Sequence, residues 1–545
     1  MQKIYAFCVH TIEYLCAGLF TVLAIASFLK TASVKNAYEI VIRLTWDNPL
    51  VNISFWILSL GIFLFVGKLL EQKKYGAQTL LILTCIWVFC ASMLWAYFSK
   101  SGPASDCGSV YYAAKQFAKN DFSALAYRDS YFSVYPFQLG LALFYELIFR
   151  IAGSDNFHIL QGVNALCLVM IVISQYHITG HFLQKKKAQI YGLLLTAFCI
   201  PLIMYGSYIY GEIPSFGFIL FGSWMILSFW KTGKIRYGLL AIPSLVLSVM
   251  VRKNSLIFLI ALIILAILLF IKKQKDLSSQ KKLLFISHFL ITILLCLLIL
   301  PLVQQNYGKR SGTEINSGIP ASTYLAMGLM DADAGPGHYS GYNFDTFTVA
   351  ADYDADLASE IGWADYRVQL SYFLSHPGYG LSFMVEKFLD QWLNAGWAIF
   401  DSIYVSFGER LPIVESCFSG SLYPVLISYM SGYQFLLYFF VAIGCLSLLP
   451  VFQRKKGIAS PPDVPTYDAC QTTGQSPCLE PCHLLFLLTA FGGFLVYVAW
   501  EASGRYILPY AIFVLPNAAY GAALCVTKFE RLIHAWGRKS NATRG

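Results

Sequence analysis

Apolar segments of membrane-crossing length recur along almost the whole chain of 545 residues, and they limit its fold more than any other feature. A helix needs roughly 20 apolar residues to cross a bilayer. Twelve such segments stand at about 13–30, 52–71, 79–98, 157–182, 188–207, 212–230, 236–251, 254–271, 283–303, 421–451, 484–500 and 505–526. With 57% hydrophobic and 13% charged residues, the chain is more apolar than a soluble protein of this size. The sequence predicts an all-α, multi-pass protein of the cell membrane, surrounded by membrane lipids.

Lysine and arginine predict the orientation of these spans, because short cytoplasmic loops retain positive charge. The basic clusters fall in alternate loops and in the tail, at 73–74, 185–187, 231–236, 272–282, 454–456 and 528–544. If all of them face the cytoplasm, both termini are cytoplasmic, and segments 99–135 and 304–420 lie outside. The net charge of +9 then comes from cytoplasmic loops and indicates no nucleic-acid partner.

One further apolar stretch does not fit the predicted orientation of the spans. The chain must cross an odd number of times between Asp106 outside and Lys185 inside, yet both 136–151 and 157–182 are apolar. The first stretch is short and contains Glu146 and Arg150. We therefore predict that it forms a helix lying at the outer membrane face.

These spans and loops divide the chain into five predicted parts. Residues 1–78 hold two spans that we interpret as an appended module, and 79–303 hold a transmembrane module whose first outer loop is 99–135. Segment 304–420 contains 14 acidic and five basic residues, and its content of Tyr, Trp, Gly and Asp favours a folded extracytoplasmic loop. The remaining parts are the C-terminal spans at 421–526, with a cytoplasmic linker at 452–483, and a basic cytoplasmic tail at 527–545.

Ionisable residues collect at the outer ends of the predicted spans. They are Asp106 in the first outer loop, Glu212, Arg252 and Lys253 in two outer turns, and Glu501 and Arg505 in the last outer turn. Charged groups at membrane depth are energetically expensive and usually functional. The alternative interpretation of Asp106 is an ordinary loop residue.

The other charged residues also have structural interpretations. Arg252 and Lys253 suit interfacial side chains that extend towards the lipid headgroups. Glu501 and Arg505 are four residues apart, so they are also compatible with an ion pair at a helix end. Glu212 precedes Ile-Pro-Ser and could cap the span that follows it.

The order of these residues resembles the GT-C superfamily of glycosyltransferases that use polyprenyl-phosphate sugars, such as protein O-mannosyltransferases and aminoarabinose transferases. The resemblance covers residues 80–300 and 484–526. It rests on Asp106 with Tyr111 and Tyr112, Tyr135-Pro-Phe-Gln-Leu-Gly, Gly153-Ser-Asp, Glu212, and Glu501-x3-Arg-Tyr-x2-Pro. Two features depart from it, since three spans instead of one precede Asp106, and Glu212 stands where aspartate is common.

The resemblance implies an inverting transfer of a hexose or pentose from a polyprenyl-phosphate donor, outside the cytoplasmic membrane, to a glycan, lipid or protein of the cell envelope. Asp106 is expected as the general base, because the acceptor hydroxyl loses its proton as it attacks, and Glu212 as a second catalytic carboxylate. Arginine pairs well with phosphate, so Arg252 and Arg505 are expected at the donor. The other predicted substrate-binding residues are Tyr111, Tyr112, Lys253, Glu501 and Tyr506.

Asp331-Ala-Asp333 in the long outer loop resembles the Asp-x-Asp metal motif of some glycosyltransferases. Its oxygen ligands make Mg²⁺, Mn²⁺ or Ca²⁺ an expected cofactor. The competing interpretation of the whole chain is a transporter or flippase of lipid-linked glycans, which should contain inverted repeats and broken helices with ionisable groups near the bilayer midplane. No repeat is visible, and a non-catalytic assembly protein is a third interpretation.

Overall fold

The computed structural model describes residues 2–183, 186–273, 279–449, 451 and 483–542. Within these ranges the first eleven α-helices are α1 (Gln2–Leu29), α2 (Pro49–Glu71), α3 (Gly76–Ser99), α4 (Ser105–Ala118), α5 (Tyr131–Val134), α6 (Leu139–Ala152), α7 (Phe157–Leu183), α8 (Lys186–Ala197), α9 (Ile200–Met204), α10 (Glu212–Thr232) and α11 (Ile235–Val251). The others are α12 (Leu256–Lys273), α13 (Ser279–Ser311), α14 (Ala321–Met327), α15 (Tyr342–Asp345), α16 (Ala355–Ser375), α17 (Pro377–Trp392), α18 (Ile399–Ile403), α19 (Pro412–Ser419), α20 (Leu422–Leu448), α21 (Leu484–Ala499), α22 (Leu508–Phe513) and α23 (Leu515–Ala542). Two strands, β1 (Lys30–Ser33) and β2 (Arg43–Trp46), form an antiparallel hairpin between α1 and α2.

The helices coincide with the apolar segments of the sequence. Eight are long and apolar enough to cross a membrane, namely α1, α2, α3, α7, α10, α12, α13 and α20. Two bent pairs, α8 with α9 and α22 with α23, pass the same test together, and α11 and α21 are shorter apolar helices. The prediction of an all-α polytopic membrane protein is confirmed. The predicted linker 452–483 lies almost entirely outside the described residues.

Proline explains where the two bent pairs break. Pro201 is the second residue of α9, and Pro516 is the second residue of α23. Proline is tolerated in the first turn of a helix, but it lacks the N–H that would continue the preceding helix. The two pairs bend by 58° and 57° at these breaks. Both bent pairs lie beside polar turns, at 205–211 and 500–507, that contribute to the site described below.

Close packing joins the ends of the chain. Helix α1 packs along α20, and α10 packs between α7 and α11. A Cβ atom on Gly521 would lie 1.8 Å from the carbonyl oxygen of Phe440, so the small residue lets α23 approach α20. The first two spans therefore pack against the C-terminal helices. The predicted division of the chain into domains remains a prediction.

Helix α6 occupies the stretch predicted to lie at the membrane face. Its 14 residues measure about 21 Å at 1.5 Å per residue, which is too short to cross. Arg310 donates to Glu146 from both terminal nitrogens, at 2.5 and 3.1 Å, and Tyr307 donates to the same carboxylate at 2.5 Å. Burial alone would raise the pKa of Glu146, but these bonds and one from Arg150 outweigh it and lower the pKa. The ionised carboxylate thus fastens α6 to α13.

The segment between α13 and α20 is folded and covers one end of the bundle. It contains α14 to α19. His338 forms a parallel bridge with Ala502, and the ring of Tyr324 stacks on Trp500 with 5.0 Å between their centroids. The long loop is therefore attached to the turn between α21 and α22.

The orientation inferred from charge gives the first testable prediction. In a variant without native cysteines, single cysteines replacing Ser105 and Lys253 should react with a membrane-impermeant thiol reagent in intact cells, whereas cysteines replacing Lys74 and Lys234 should not. All four positions are exposed, so a difference in labelling reports sidedness and not burial. Labelling of Lys74→Cys or Lys234→Cys in intact cells would reverse the predicted orientation.

Candidate active site

A cavity of about 1290 Å³ lies where the long loop meets the helix ends. This cavity is lined by most of the charged residues that the sequence predicts for the site, although these residues are distant in sequence. The lining residues from that prediction are Asp106, Arg252, Lys253, Asp331, Asp333, Glu501, Arg505 and Tyr506. The volume exceeds the usual range of small-molecule sites, roughly 300–1,000 Å³, so it suits a large or two-part substrate.

Asp106 stands in the first turn of α4, at the edge of this cavity. Its Oδ2 accepts a hydrogen bond of 3.1 Å from the hydroxyl of Tyr210. That hydroxyl in turn accepts from Nε2 of Gln138 at 2.6 Å and lies 3.1 Å from the hydroxyl of Tyr131. Burial, with the nearby Tyr131 and Asp106, raises the pKa of Tyr210 well above its ordinary value, so its hydroxyl remains a donor. The half-buried carboxylate is thus oriented by a chain of hydrogen bonds.

Glu212, Arg252 and Arg505 form a charged cluster beside the same cavity, with a buried carboxylate between two half-buried arginines. Nη2 of Arg252 lies 2.8 Å and Nε of Arg505 lies 3.8 Å from Oε1 of Glu212, which is only 1% exposed. Arg505 also donates to the hydroxyl of Tyr208 at 2.6 Å. Both guanidinium groups lie over the ring of Tyr210, at 5.1 Å for Arg252 and 5.4 Å for Arg505. The ring that bonds Asp106 therefore also contacts both arginines through cation–π interactions.

A glycine brings the cluster together. Gly211 precedes Glu212 with a φ of +87°, and a Cβ there would lie 2.9 Å from Cγ1 of Val251, the residue before Arg252. Only glycine adopts this conformation without strain. Because the backbone turns sharply here, α10 begins with Glu212 directly beside Arg252.

Glu501 has a different partner from the one that its spacing suggested. Within the described residues no ion pair within 4.0 Å joins Glu501 to Arg505. Instead, Tyr506 donates to Oε1 of Glu501 at 3.3 Å, and the ring of Tyr506 stacks on Tyr497. Burial raises the pKa of Glu501 to about 7, although Arg505 acts in the opposite direction. The helix-end pair is thus not formed, and Glu501 is a buried carboxyl group that titrates near neutrality.

Asp331 and Asp333 both line the cavity on the long loop. Oδ2 of Asp331 accepts a hydrogen bond of 2.6 Å from Tyr379. Among the described residues, no group of three or more His, Cys, Asp or Glu side chains is arranged to hold a metal ion. The two carboxylates alone make an incomplete ligand set, so the metal remains a prediction and the mechanism below does not depend on it.

The remaining predicted residues lie further from the cavity or at its edge. Tyr111 is buried and donates to the backbone oxygen of Asp155 at 3.2 Å, and Tyr112 is 53% exposed. Neither lines the cavity, so substrate binding by these two tyrosines remains a prediction without geometric support. Lys253 is exposed at the cavity edge, with its Nζ 5.6 Å from the ring centroid of Phe137.

The sequence interpretation missed Tyr208 and Tyr210, which connect the acidic and basic parts of the site. Their signal was the string Tyr205-Gly-Ser-Tyr-Ile-Tyr-Gly immediately before Glu212. Tyrosine is common near membrane interfaces, so the string alone does not distinguish a site from an anchor. Its position before a buried carboxylate was the informative feature.

A second, small pocket of about 30 Å³ lies beneath the charged cluster, between α10, α12 and α22. Glu212, Arg252 and Arg505 line its polar end, and Phe216 and Phe258 are among the residues along its apolar part. It has room for about one water molecule.

The helical fold and the charged cavity define a multi-pass membrane protein whose site is built from the ends of its spans. Residues 138–301 match the family model described as dolichyl-phosphate-mannose-protein mannosyltransferase. The match confirms the resemblance to GT-C glycosyltransferases and supports a membrane glycosyltransferase that uses a polyprenyl-phosphate sugar. It includes Glu212 and Arg252, but not Asp106 or Arg505. No curated protein matches the chain.

The raised pKa of Glu501 predicts a pH dependence of stability. Because its pKa rises from 4.5 to about 7 on folding, the folded protein binds this proton more tightly, and the resulting stabilisation is lost as the pH rises through that window. Glu501→Gln cannot ionise, so its thermal unfolding midpoint in detergent should fall less than that of the wild type between about pH 5 and about pH 8. Equal falls in both proteins would contradict a protonated, buried Glu501.

Proposed function

We propose that this protein transfers a sugar from a polyprenyl-phosphate donor to an acceptor of the cell envelope at the outer face of the cytoplasmic membrane, with inversion. One observation carries the proposal. The carboxylate of Asp106 and the guanidinium groups of Arg252 and Arg505 face one cavity and contact the same side chain, because Asp106 bonds the hydroxyl of Tyr210 and both arginines lie over its ring. A base and a phosphate-binding group within reach of one substrate are what such a transfer needs.

The two arginines suit the phosphate of the donor. Nε of Arg505 is buried and has no hydrogen-bond partner in the described part of the chain, and an unpaired buried donor is costly unless a ligand satisfies it. Arg252 and Arg505 together with Glu212 carry one net positive charge. The donor phosphodiester carries one negative charge, and the released polyprenyl phosphate carries up to two. The cluster therefore binds the departing phosphate more strongly than the intact donor, which accelerates the reaction.

Asp106 performs the proton transfer. The acceptor hydroxyl donates to the carboxylate, and its oxygen attacks the anomeric carbon of the donor sugar. The new C–O bond forms as the bond between that carbon and the phosphate oxygen breaks, so the electron pair leaves with the phosphate and the proton moves to Asp106. Tyr210 holds the carboxylate by its 3.1 Å hydrogen bond and keeps it available as a base.

The family comparison alone offers support for a particular donor sugar. The name of the matched family specifies mannose on dolichyl phosphate and a protein acceptor. We therefore take polyprenyl-phosphate mannose as the first donor to test, with other hexoses and pentoses after it. A lipid donor also explains a site at the ends of membrane spans, since nucleotide sugars are absent outside the cell.

Asp106→Asn tests the base. The variant retains shape and polarity but cannot accept the proton, so transfer should fall by a factor on the order of 10² to 10⁴, while purified protein keeps its thermal unfolding midpoint. The assay measures sugar transfer from purified polyprenyl-phosphate sugars to membrane acceptors.

Asp129→Asn is the matched control. Asp129 lies in the same outer loop, is exposed and does not line the cavity, so its replacement should leave transfer unchanged. Normal transfer by a folded Asp106→Asn protein would exclude Asp106 as the base. A wild-type protein that consumes no donor would instead favour a flippase.

A further inference from the structure

The cavity has a wall that comes from the N-terminal part of the chain. Between β1 and β2, residues 34–42 form a loop, called here the hairpin loop. Ala37, Tyr38, Glu39, Ile40 and Ile42 line the same cavity as Asp106. The family match begins only at residue 138, so this wall belongs to a part of the chain that the match does not cover.

Hydrogen bonds hold the hairpin loop in place on several sides. Ala37 donates its N–H to the carbonyl oxygen of Phe418 at 2.8 Å, and Ile42 donates to that of Ala334 at 3.1 Å. The hydroxyl of Tyr38 donates to Oε1 of Glu415 at 2.6 Å. The strand β1 is fixed similarly, because Ala32 exchanges backbone bonds of 3.0 Å with residues 393 and 395. The loop is thus a fixed wall and not a loose appendage.

The bond between Ile42 and Ala334 sets the hairpin loop against the acidic segment of the long loop. Asp331 and Asp333 line the cavity there, and no cationic group lies within 4.0 Å of either carboxylate among the described residues. Glu39 is different, since the exposed Lys35 and Arg43 lie 4.0 and 3.9 Å from it. The segment 331–334 therefore presents uncompensated negative charge.

The positive charge of the cavity comes from other segments. The arginine and lysine side chains that line it are Arg252, Lys253 and Arg505, all in turns at the ends of spans. His338 on the long loop adds none, because burial and the nearby Lys387 lower its pKa to about 4. An acceptor that enters along the hairpin loop therefore meets negative charge first, and a charged phosphate or carboxylate on it would be repelled.

Aromatic rings line the same cavity as these charges. They include Tyr38, Tyr135, Tyr324, Tyr339, Tyr404 and Trp500. Aromatic faces offer a large apolar contact with a polar edge, which suits the C–H faces and hydroxyl groups of a sugar ring. Carboxylates accept hydrogen bonds from hydroxyls, and a glycan has many of these.

We propose that the cavity-lining residues of the hairpin loop, 37–40 and 42, form the acceptor site together with residues 331–334, and that the acceptor is a glycan without negatively charged groups. The proposal rests on the transferase function argued above. It assigns the N-terminal hairpin a role in substrate selection, with Ile40 as a residue that shapes the entrance. Ile40 lines the cavity and is 65% exposed.

A pair of substitutions at neighbouring residues tests whether the hairpin loop forms a wall of the acceptor site. Ile40→Trp adds bulk inside the acceptor site and should raise the KM for the acceptor by about tenfold, with the KM for the donor unchanged. Val41→Trp adds the same bulk at a residue that is 44% exposed but does not line the cavity, so it should leave both constants unchanged. Equal effects of the two substitutions, or a change in the donor KM alone, would contradict the assignment.

The chemical nature of the product tests the acceptor class. Membranes containing the wild-type protein are supplied in turn with radiolabelled polyprenyl-phosphate hexoses and pentoses. The labelled product should not bind to an anion exchanger, should not be cleaved by protease and should be cleaved by glycosidases. Retention on the exchanger, release by protease or label found only as free sugar would overturn the inference while leaving donor chemistry intact. If no donor is consumed, the transferase function itself fails.

Discussion

The buried contact of Glu212 with Arg252 and Arg505 is the interaction on which the site depends. Its three residues come from the start of α10, the turn after α11 and the turn after α21. Removing one partner of a buried ion pair costs about 3–5 kcal/mol, because the other charge is left uncompensated. The cluster therefore fixes the ends of three spans relative to one another and places two guanidinium groups at the cavity.

The same arrangement links stability to the proposed chemistry. The buried carboxylate of Glu212 allows two half-buried arginines to lie side by side, and the remaining positive charge is available to a phosphate. Tyr208 and Tyr210 fill the space around these groups, and Tyr210 extends the network to Asp106. A polar network of this kind is favourable only when its members are satisfied. The Nε of Arg505 lies 3.8 Å from Glu212 but makes no hydrogen bond among the described residues, which is consistent with a site that a bound anion completes.

The sequence predicts the spans well, because a bilayer imposes a minimum length on every apolar helix. It also predicts which charged residues meet, since sidedness alone brings Asp106, Arg252, Glu501 and Arg505 to one end of the bundle. The sequence does not predict which of these side chains bond to each other, because contacts within a cavity depend on the directions of the side chains. The spacing of Glu501 and Arg505 suggested a pair, but Arg505 turns to Glu212 and Tyr208 instead.

Contacts between distant segments were also beyond sequence reasoning. The hairpin loop reaches Ala334 and Phe418, about 300 and 380 residues away, and no local pattern signals such a contact. Tyr111 illustrates a related limit, since its place after Asp106 suggested a site residue, whereas α4 directs its hydroxyl to the backbone oxygen of Asp155, so its role in substrate binding remains a prediction. Helical periodicity separates residues 106 and 111 onto different faces.

The most direct test of the account is donor turnover by Arg505→Lys. A lysine keeps the charge but cannot form the planar two-point contact of a guanidinium with phosphate, so consumption of polyprenyl-phosphate sugar in detergent should fall strongly relative to the wild type. Arg128→Lys, at an exposed ion pair worth about 0–1 kcal/mol, is the control and should retain full turnover. Full turnover by a folded Arg505→Lys protein would contradict a phosphate-binding arginine at the centre of the site.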